Sequence, residues 1–339
     1  MSLKSYIIAR SILTLPMILL LLTILFFVLR VLPGDPVTML EGKDIPEDVL
    51  QKRRAELGLD KPVLVQYFNY LGMIFQGNLG TTALSKIPVS YLIYQRLPAT
   101  VELAIMSMIV AISIGILFGM YGARKLHGYL DYLARLYGII IYSTPIFFLA
   151  LVFILVFSIY LGIFPSSSRL NPLNELAYLD IRKTGFVLID GLMARRIDIV
   201  IDWLHHLILP SLVLGLYLSG IFVRLTRSQV AESLSKDYVI AAKARGIHDS
   251  RILYKYGLRN AIIPIVTMMG LQFAALLGGA VITETVFSWP GIGSLVYDSI
   301  LARDYNMVQG SIVIYAILVV IVSLIVDITY AYLDPRIRY

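Results

Sequence analysis

Six runs of this chain are long, apolar and almost free of charge: roughly Ser11–Leu29, Leu103–Ala123, Tyr137–Leu161, Leu207–Val223, Ala261–Thr283 and Met307–Tyr330, with Asp327 the one charged residue among them. Crossing the hydrocarbon core takes about 20 residues at 1.5 Å rise each, which these runs approach or exceed. Only 15% of the 339 residues are charged and 58% are hydrophobic, whereas a soluble domain carries roughly 25% charged residues. The bilayer is therefore the solvent for most of the chain, and the expected fold is all-α and polytopic, with six transmembrane helices. The first run follows Lys4 and Arg10, as a signal peptide would, but its apolar core is too long and no A-x-A site follows; a retained anchor is expected. A seventh charge-free stretch, Pro62–Ser85, is interrupted by Gln66, Asn69, Gln76, Asn78 and three glycines. It reads as an amphipathic surface helix and then a loop.

Charge orients the spans. The segment Arg224–Arg259 holds eight basic and three acidic residues, Arg124–Arg135 three basic and one acidic, and the N-terminus carries Lys4 and Arg10; the long segments Arg30–Glu102 and Gly162–His206 balance to zero. Basic residues accumulate in short cytoplasmic loops, so both termini and Arg224–Arg259 are expected in the cytoplasm. The net charge of +7 then reflects cytoplasmic loops and anionic lipid, not nucleic acid. A charged helix with Pro46 near its first turn is expected at Gly42–Leu59. The absence of cysteine excludes disulfides, thiol catalysis and cysteine metal sites.

The segment Asp237–Pro264, DYVIAAKARGIHDSRILYKYGLRNAIIP, is the least expected part of such a chain. Lys236–Arg245 is helix-compatible, and Ala241, Ala242 and Ala244 offer a small, flat face. Gly246 stands where a helix-terminating glycine belongs, and Asp249 or Ser250 can cap a second helix that feeds the fifth span near Pro264. Small residues let another surface approach, while Lys243, Arg245 and Arg251 can pair with acids on it. The same residues also suit a basic loop lying on anionic lipid.

This stretch resembles the EAA loop of binding-protein-dependent ABC importers in the dipeptide/oligopeptide permease form. Ala241 and Ala242 match its two alanines, and Gly246 its glycine. Ile240 replaces the general motif's acid, and Pro264 lies further downstream than in sugar permeases, as in the peptide branch. VLPGDPV (Val31–Val37), LGLDKPVLVQY (Leu57–Tyr67), GNLGTT (Gly77–Thr82), TGFVLIDGL (Thr184–Leu192), HLILPSL (His206–Leu212), ETVFSWPGIG (Glu284–Gly293), ARDYNMVQG (Ala302–Gly310) and YLDPRIRY (Tyr332–Tyr339) extend the likeness along the chain. The resemblance implies a type I importer permease fold with a large extracytoplasmic loop after helix one. It divides the chain into 1–96, the first helix and extracytoplasmic region, and 97–339, a five-helix core with a cytoplasmic coupling loop at 224–260. It implies that Asp237, Tyr238, Ala241, Ala242, Lys243, Arg245, Gly246 and Ile247 couple to an ATPase. The implied partners are a homologous second permease, two ABC ATPase subunits, an extracytoplasmic substrate-binding protein and membrane lipid. The chain itself would bind no cofactor, ATP and Mg residing on the ATPase subunits; no GxxxxGK[ST] occurs in it.

Glu102, Glu284 and Asp327 lie in or at the ends of spans, where a charge invites a functional reading. Glu102 and Glu284 are expected near the outer interface within reach of water, more as structural ion pairs than as substrate contacts. Glu284 precedes Phe287, Trp289, Pro290, Gly291 and Gly293, in which Trp289 suits an interface anchor and the Pro and Gly residues a tight turn. In the resembling family this region lies over the translocation path, which makes these six residues a candidate outer gate. His205 and His206 are adjacent and so diverge on a helix, which disfavours a shared metal. Pro145, Gly270, Gly278 and Gly279 permit kinks or close helix contact. No catalytic set is expected: an intramembrane enzyme would need a Ser/Lys, Asp/Asp or His/Glu arrangement that the spans lack. An ion-coupled secondary transporter would need a carboxylate near the midplane. The cargo expected from the branch is di- or oligopeptide, with oligosaccharide as the alternative.

Overall fold

A computed structural model describes residues 3–31, 51–52, 60–82 and 85–333. Among these no strand forms, only an isolated bridge between Thr81 and Pro88. The helices, in chain order, are α1 (Leu3–Val31), α2 (Val63–Phe75), α3 (Val89–Arg124), α4 (Tyr129–Ser143), α5 (Ile146–Tyr160), α6 (Pro172–Ile181), α7 (Val187–Met193), α8 (Ile197–Leu234), α9 (Asp237–Ala244), α10 (Asp249–Leu277), α11 (Val281–Val286), α12 (Ile292–Leu301) and α13 (Tyr305–Leu333). Helices α3, α8 and α10 and the stretch Asn306–Val326 of α13 are long and apolar enough to cross a membrane. The helix expected within Pro62–Ser85 is present as α2, none of whose residues is buried; it lies beside α1, Tyr67 meeting Thr23 hydroxyl to hydroxyl at 2.6 Å. Gly42–Leu59, save Gln51 and Lys52, the tail after Leu333 and the Asp327 side chain lie outside the described residues.

The third predicted span is not one rod. Its two halves, α4 and α5, meet at 98°. Pro145 has no N–H to continue the α4 ladder and forces its predecessor out of helical geometry; Thr144 sits at ψ 122° and Pro145 at ψ 133°. The last seven residues of α5, Ile154–Tyr160, widen into a π-helix. Two predicted spans lengthen instead. Leu103–Ala123 is the C-terminal part of the 36-residue α3, so the expected division between 96 and 97 falls inside a helix, and Leu207–Val223 is the middle of the 38-residue α8, which runs through Arg224.

α3 and α8 form the centre. A Cβ placed on Gly115 would lie 2.2 Å from Phe222 Cβ, one on Gly119 2.6 Å from Thr226 Cβ, and one on Gly215 2.6 Å from Val110 Cβ. Small residues four apart let two membrane helices touch backbone to side chain, and here Gly115 and Gly119 on α3 do so. Around this seam pack Leu103, Met108, Leu207, Leu214 and Phe222. α13 closes on α10 through Gly270, beneath Val326, and Gly278, beneath the Tyr315 ring, the close contacts the sequence had marked there. Large apolar side chains on α1, α4 and α5, such as Leu20, Ile139 and Phe148, stand exposed, as suits an apolar surrounding.

Candidate functional site

The basic segment folds into a helix, a tight turn and a second helix. α9 is capped by Arg245, and Gly246 takes φ +72°, a conformation that costs a side-chain-bearing residue about 1–2 kcal/mol. Gly246 N donates to Lys243 O at 2.9 Å and Ile247 N to Ala242 O at 3.2 Å, the paired bonds of a Schellman terminus. The next helix is capped by His248, whose Nδ1 accepts from Ser250 N at 3.3 Å; the cap is therefore His248, not Asp249 or Ser250. The first turns of α10, Ile252–Leu258, are π-helical.

Val239, Ala242 and Ile252 pack as a buried cluster against Leu234 of α8 and Ile247. Ala242 thus faces inward, a correction to the flat outward face expected of all three alanines. The outward face carries Tyr238, Ile240, Ala241, Lys243, Ala244, Arg245 and Gly246, with Asp237 at its start and Ile247 half-buried behind it. Ile240 is 63% exposed, an apolar side chain in an otherwise basic patch. Tyr238 ties the face to α10: Asn260 Nδ2 donates to its hydroxyl at 3.0 Å, and its ring stacks on Tyr256.

At the far end of α10 sits the second group. The Glu284 side chain is fully buried. Thr100 Oγ1 of α3 donates to its Oε1 at 2.9 Å and Ser294 N to its Oε2 at 2.8 Å. The same Thr100 oxygen accepts from Ile292 N at 2.8 Å. Burial pushes the Glu284 carboxyl above its ordinary pKa, and the donors from Ser294, Thr100 and Gly293 offset only part of this. Trp289 is fully buried, its indole Nε1 donating to Ala99 O at 2.8 Å, so it is not an interface anchor. Phe287 is buried in a separate cluster and Pro290 is half-exposed. Gly291 and Gly293 lie against the carboxylate, a Cβ on Gly291 falling 2.3 Å from Glu284 Cδ. Glu284, Trp289, Gly291 and Gly293 are therefore brought together as a latch onto α3, with Pro290 at its edge, whereas Phe287 packs away from it, with Ala150 of α5 and Leu209 and Val213 of α8.

Water does not reach Glu102 either. Arg169 Nε and Nη2 donate to its Oε2 at 2.9 and 2.7 Å, Trp203 Nε1 to the same oxygen at 2.9 Å, and Val187 N to Oε1 at 2.8 Å. This structural pair pins the segment between α5 and α8 onto α3. The segment is held from within by Asp190, which accepts from Thr184 N and Oγ1, Gly185 N and Tyr178 Oη. Burial raises the Asp190 pKa, but these donors outweigh it and hold the carboxyl below its ordinary range. His206 Nδ1 lies 2.8 Å from Asp202 O while His205 Nε2 lies 2.6 Å from Ile163 O, so the two rings diverge. Among the described residues no group of His, Cys, Asp and Glu is arranged to hold a metal.

Thr100, Ala99, Tyr256, Asn260 and His248 were absent from the sequence expectations. Thr100 and Glu284 are 184 residues apart, and no local spacing joins them.

The family model described as "Binding-protein-dependent transport system inner membrane component" matches residues 115–339. The chain belongs to this family. Residues 3–104 match the companion model "Binding-prot-dependent transport system membrane comp, N-term". The chain is 41% identical over 315 residues to the Di/tripeptide transport system permease protein DppB of Pseudomonas aeruginosa (strain UCBPP-PA14), covering 93% of each chain. It is 38% identical to the Dipeptide transport system permease protein DppB of Escherichia coli (strain K12), again over 93% of each. It is 36% identical to the Oligopeptide transport system permease protein AppB of Bacillus subtilis (strain 168), over 99% of each. Family and apolar helices together make it an integral membrane permease. The turn at Gly246 and the latch at Glu284 both lie within the matched region.

Proposed function

We propose that this chain is a permease subunit of an ATP-driven ABC importer for di- and oligopeptides. It forms half of a translocation path with a homologous second permease. It has six spans, counting α1 and the bent pair α4–α5, with both termini and α9 in the cytoplasm. Two ATPase subunits supply ATP hydrolysis with Mg, α9 docks on one of them, and an extracytoplasmic binding protein delivers cargo to the opposite face, where the Glu284 latch acts as outer gate. The observation that carries the reading is the outward face of α9. An exposed apolar Ile240 flanked by Lys243 and Arg245 suits a protein groove with an acidic rim, and its inward face is bound to both α8 and α10.

The test is Ile240→Asp and Gly246→Val in the complete importer reconstituted in proteoliposomes. Both variants should reach the membrane with the second permease, lose co-purifying ATPase, and lose dipeptide uptake by about ten-fold or more, as expected of an interface anchor. ATPase assembly and uptake that survive both changes would remove the coupling assignment. Uptake by this chain alone without ATP would replace it with an ion-coupled carrier.

A further inference from the structure

Beside the Glu284 latch lies a cavity of about 250 Å³ between the start of α3, α6 and Pro290. Its wall carries three guanidinium groups, from Arg96, Arg169 and Arg182, and one carboxylate, Glu175. Glu175 is exposed, whereas Arg96 and Arg182 are half-buried and Arg169 is buried. Arg169 is neutralised by Glu102, and its Nη2 also donates to Gly185 O. Among the described residues Arg182 makes one hydrogen bond, Nη2 to Gln95 O at 2.8 Å. Neither Arg96 nor Arg182 forms an ion pair among the described residues. Glu284 feels the charge of Arg96, but its oxygens are occupied by Thr100 and Ser294.

Half-buried charge is kept where something pairs with it. Two guanidiniums beside one cavity, each with donors to spare, suit a planar two-oxygen anion, because the guanidinium fork matches a carboxylate. Packing already holds the wall in place: Arg169 lies over the Tyr178 ring, and Tyr178 Oη donates to Asp190 at 2.9 Å. We propose that Arg96 and Arg182 form a carboxylate-binding site next to the outer gate. Pro290 belongs both to this cavity and to the latch segment, so a carboxylate seated here abuts the loop that closes onto α3. The inference rests on the importer reading. Two sources present a carboxylate at that face: an acidic side chain of the docked binding protein, and the C-terminus of the peptide it delivers.

The experiment uses the whole importer in proteoliposomes with Arg96→Gln, Arg182→Gln, the double variant and the matching Lys variants. ATPase stimulation is titrated with binding protein loaded with dialanine, and dialanine uptake is measured at saturating binding protein. If the binding protein supplies the carboxylate, its half-saturating concentration rises about ten-fold per Gln change and salt narrows the gap from wild type. If the peptide supplies it, half-saturation stays and uptake per ATP falls by a similar factor. In either case the Lys variants recover part of the loss, since charge is retained. Both parameters staying within about two-fold of wild type in the double variant would overturn the site. So would Lys variants that fail like Gln while losing assembly, which would make the arginines scaffold. A wild-type importer that moves no dialanine fails the importer reading instead.

Discussion

Glu284 offers the sharpest test of the latch. Truncation to Ala leaves Thr100 O–H and Ser294 N–H, both directed at the lost oxygens, without an acceptor. Each orphaned buried donor costs about 1–3 kcal/mol, so Glu284→Ala should cost about 2–6 kcal/mol before any cavity term. Glu284→Gln keeps an oxygen for Ser294 N–H and turns an amide toward Thr100 Oγ1. That hydroxyl has two lone pairs, and Ile292 N occupies one, so it can accept the amide. The Thr100 O–H still loses its acceptor, so Gln orphans one donor where Ala orphans two and should cost about half as much. Because Thr100 belongs to α3 and Ser294 to α12, the loss falls on the closed latch, and every 1.4 kcal/mol shifts a closed–open equilibrium about ten-fold. Thermal unfolding of the detergent-solubilised importer should drop for Ala by several degrees. ATPase activity without binding protein should rise with it. Ala melting with wild type and hydrolysing no faster would refute the latch. Gln as damaging as Ala would show that the charge, not the acceptor geometry, holds it.

Other positions carry separate expectations. Arg169→Leu leaves Glu102 buried without its cation and should cost about 3–5 kcal/mol, read as lower melting and new protease cleavage between α5 and α8; Arg169→Lys should recover part of it. Gly115→Ala drives a methyl into Phe222, 2.2 Å from its Cβ, and should destabilise by about 1–3 kcal/mol. Gly72→Ala, with nothing within 4 Å, should leave α2 unchanged or steady it by about 0.5–1 kcal/mol; the two melting curves must diverge. Asp190 has a depressed carboxyl pKa, so its stabilisation is full above about pH 3.9, the unfolded value, and disappears as pH falls through the lower folded value. Protease protection of α6 and α7 between pH 6 and pH 3 should decline, and Asp190→Asn should begin lower and respond less to pH.

The spans were legible because apolar length is a local property. The helix end at Gly246 was equally so, since one glycine in a left-handed conformation decides it. The break at Pro145 was visible as a permitted kink, but its 98° size arises from two consecutive extended residues, which no hydropathy run reveals. The inward turn of Ala242 is not legible because α9 is only eight residues long, too short for its apolar side to be read by period. Glu102 and Glu284 stand at span ends, where water is ordinarily within reach, and nothing near them in the sequence marks them as buried. Their donors come from Arg169, Val187, Trp203, Thr100 and Ser294, scattered along the chain. Gly115 and Gly119 did carry a local signal, a pair of glycines four apart in an apolar run.

α10 joins the two groups directly. Its 29 residues reach about 43 Å at 1.5 Å each, from the His248 cap to the glycines that precede α11. Near its start Gly257 admits Leu234 of α8, further on Gly270 and Gly278 admit Val326 and Tyr315 of α13, and beyond its end Gly279, at φ +100°, rests on Gly293 of the latch segment. Contacts this close have no side-chain cushion, and tightly packed interfaces repack between discrete arrangements instead of deforming gradually. Past its π-helical first turns, α10 is interrupted by Pro264, which removes the N–H that would bond Asn260 O and crowds that carbonyl. Under the proposed function, movement at α9 would bend α10 there or carry its far half along. Pro264→Ala restores the bond and stiffens the helix. It should raise the melting temperature slightly while slowing ATP-driven uptake, with ATPase still bound to α9. A variant that melts higher and transports at the wild-type rate would show that α10 moves as a rigid rod and that Pro264 is no hinge.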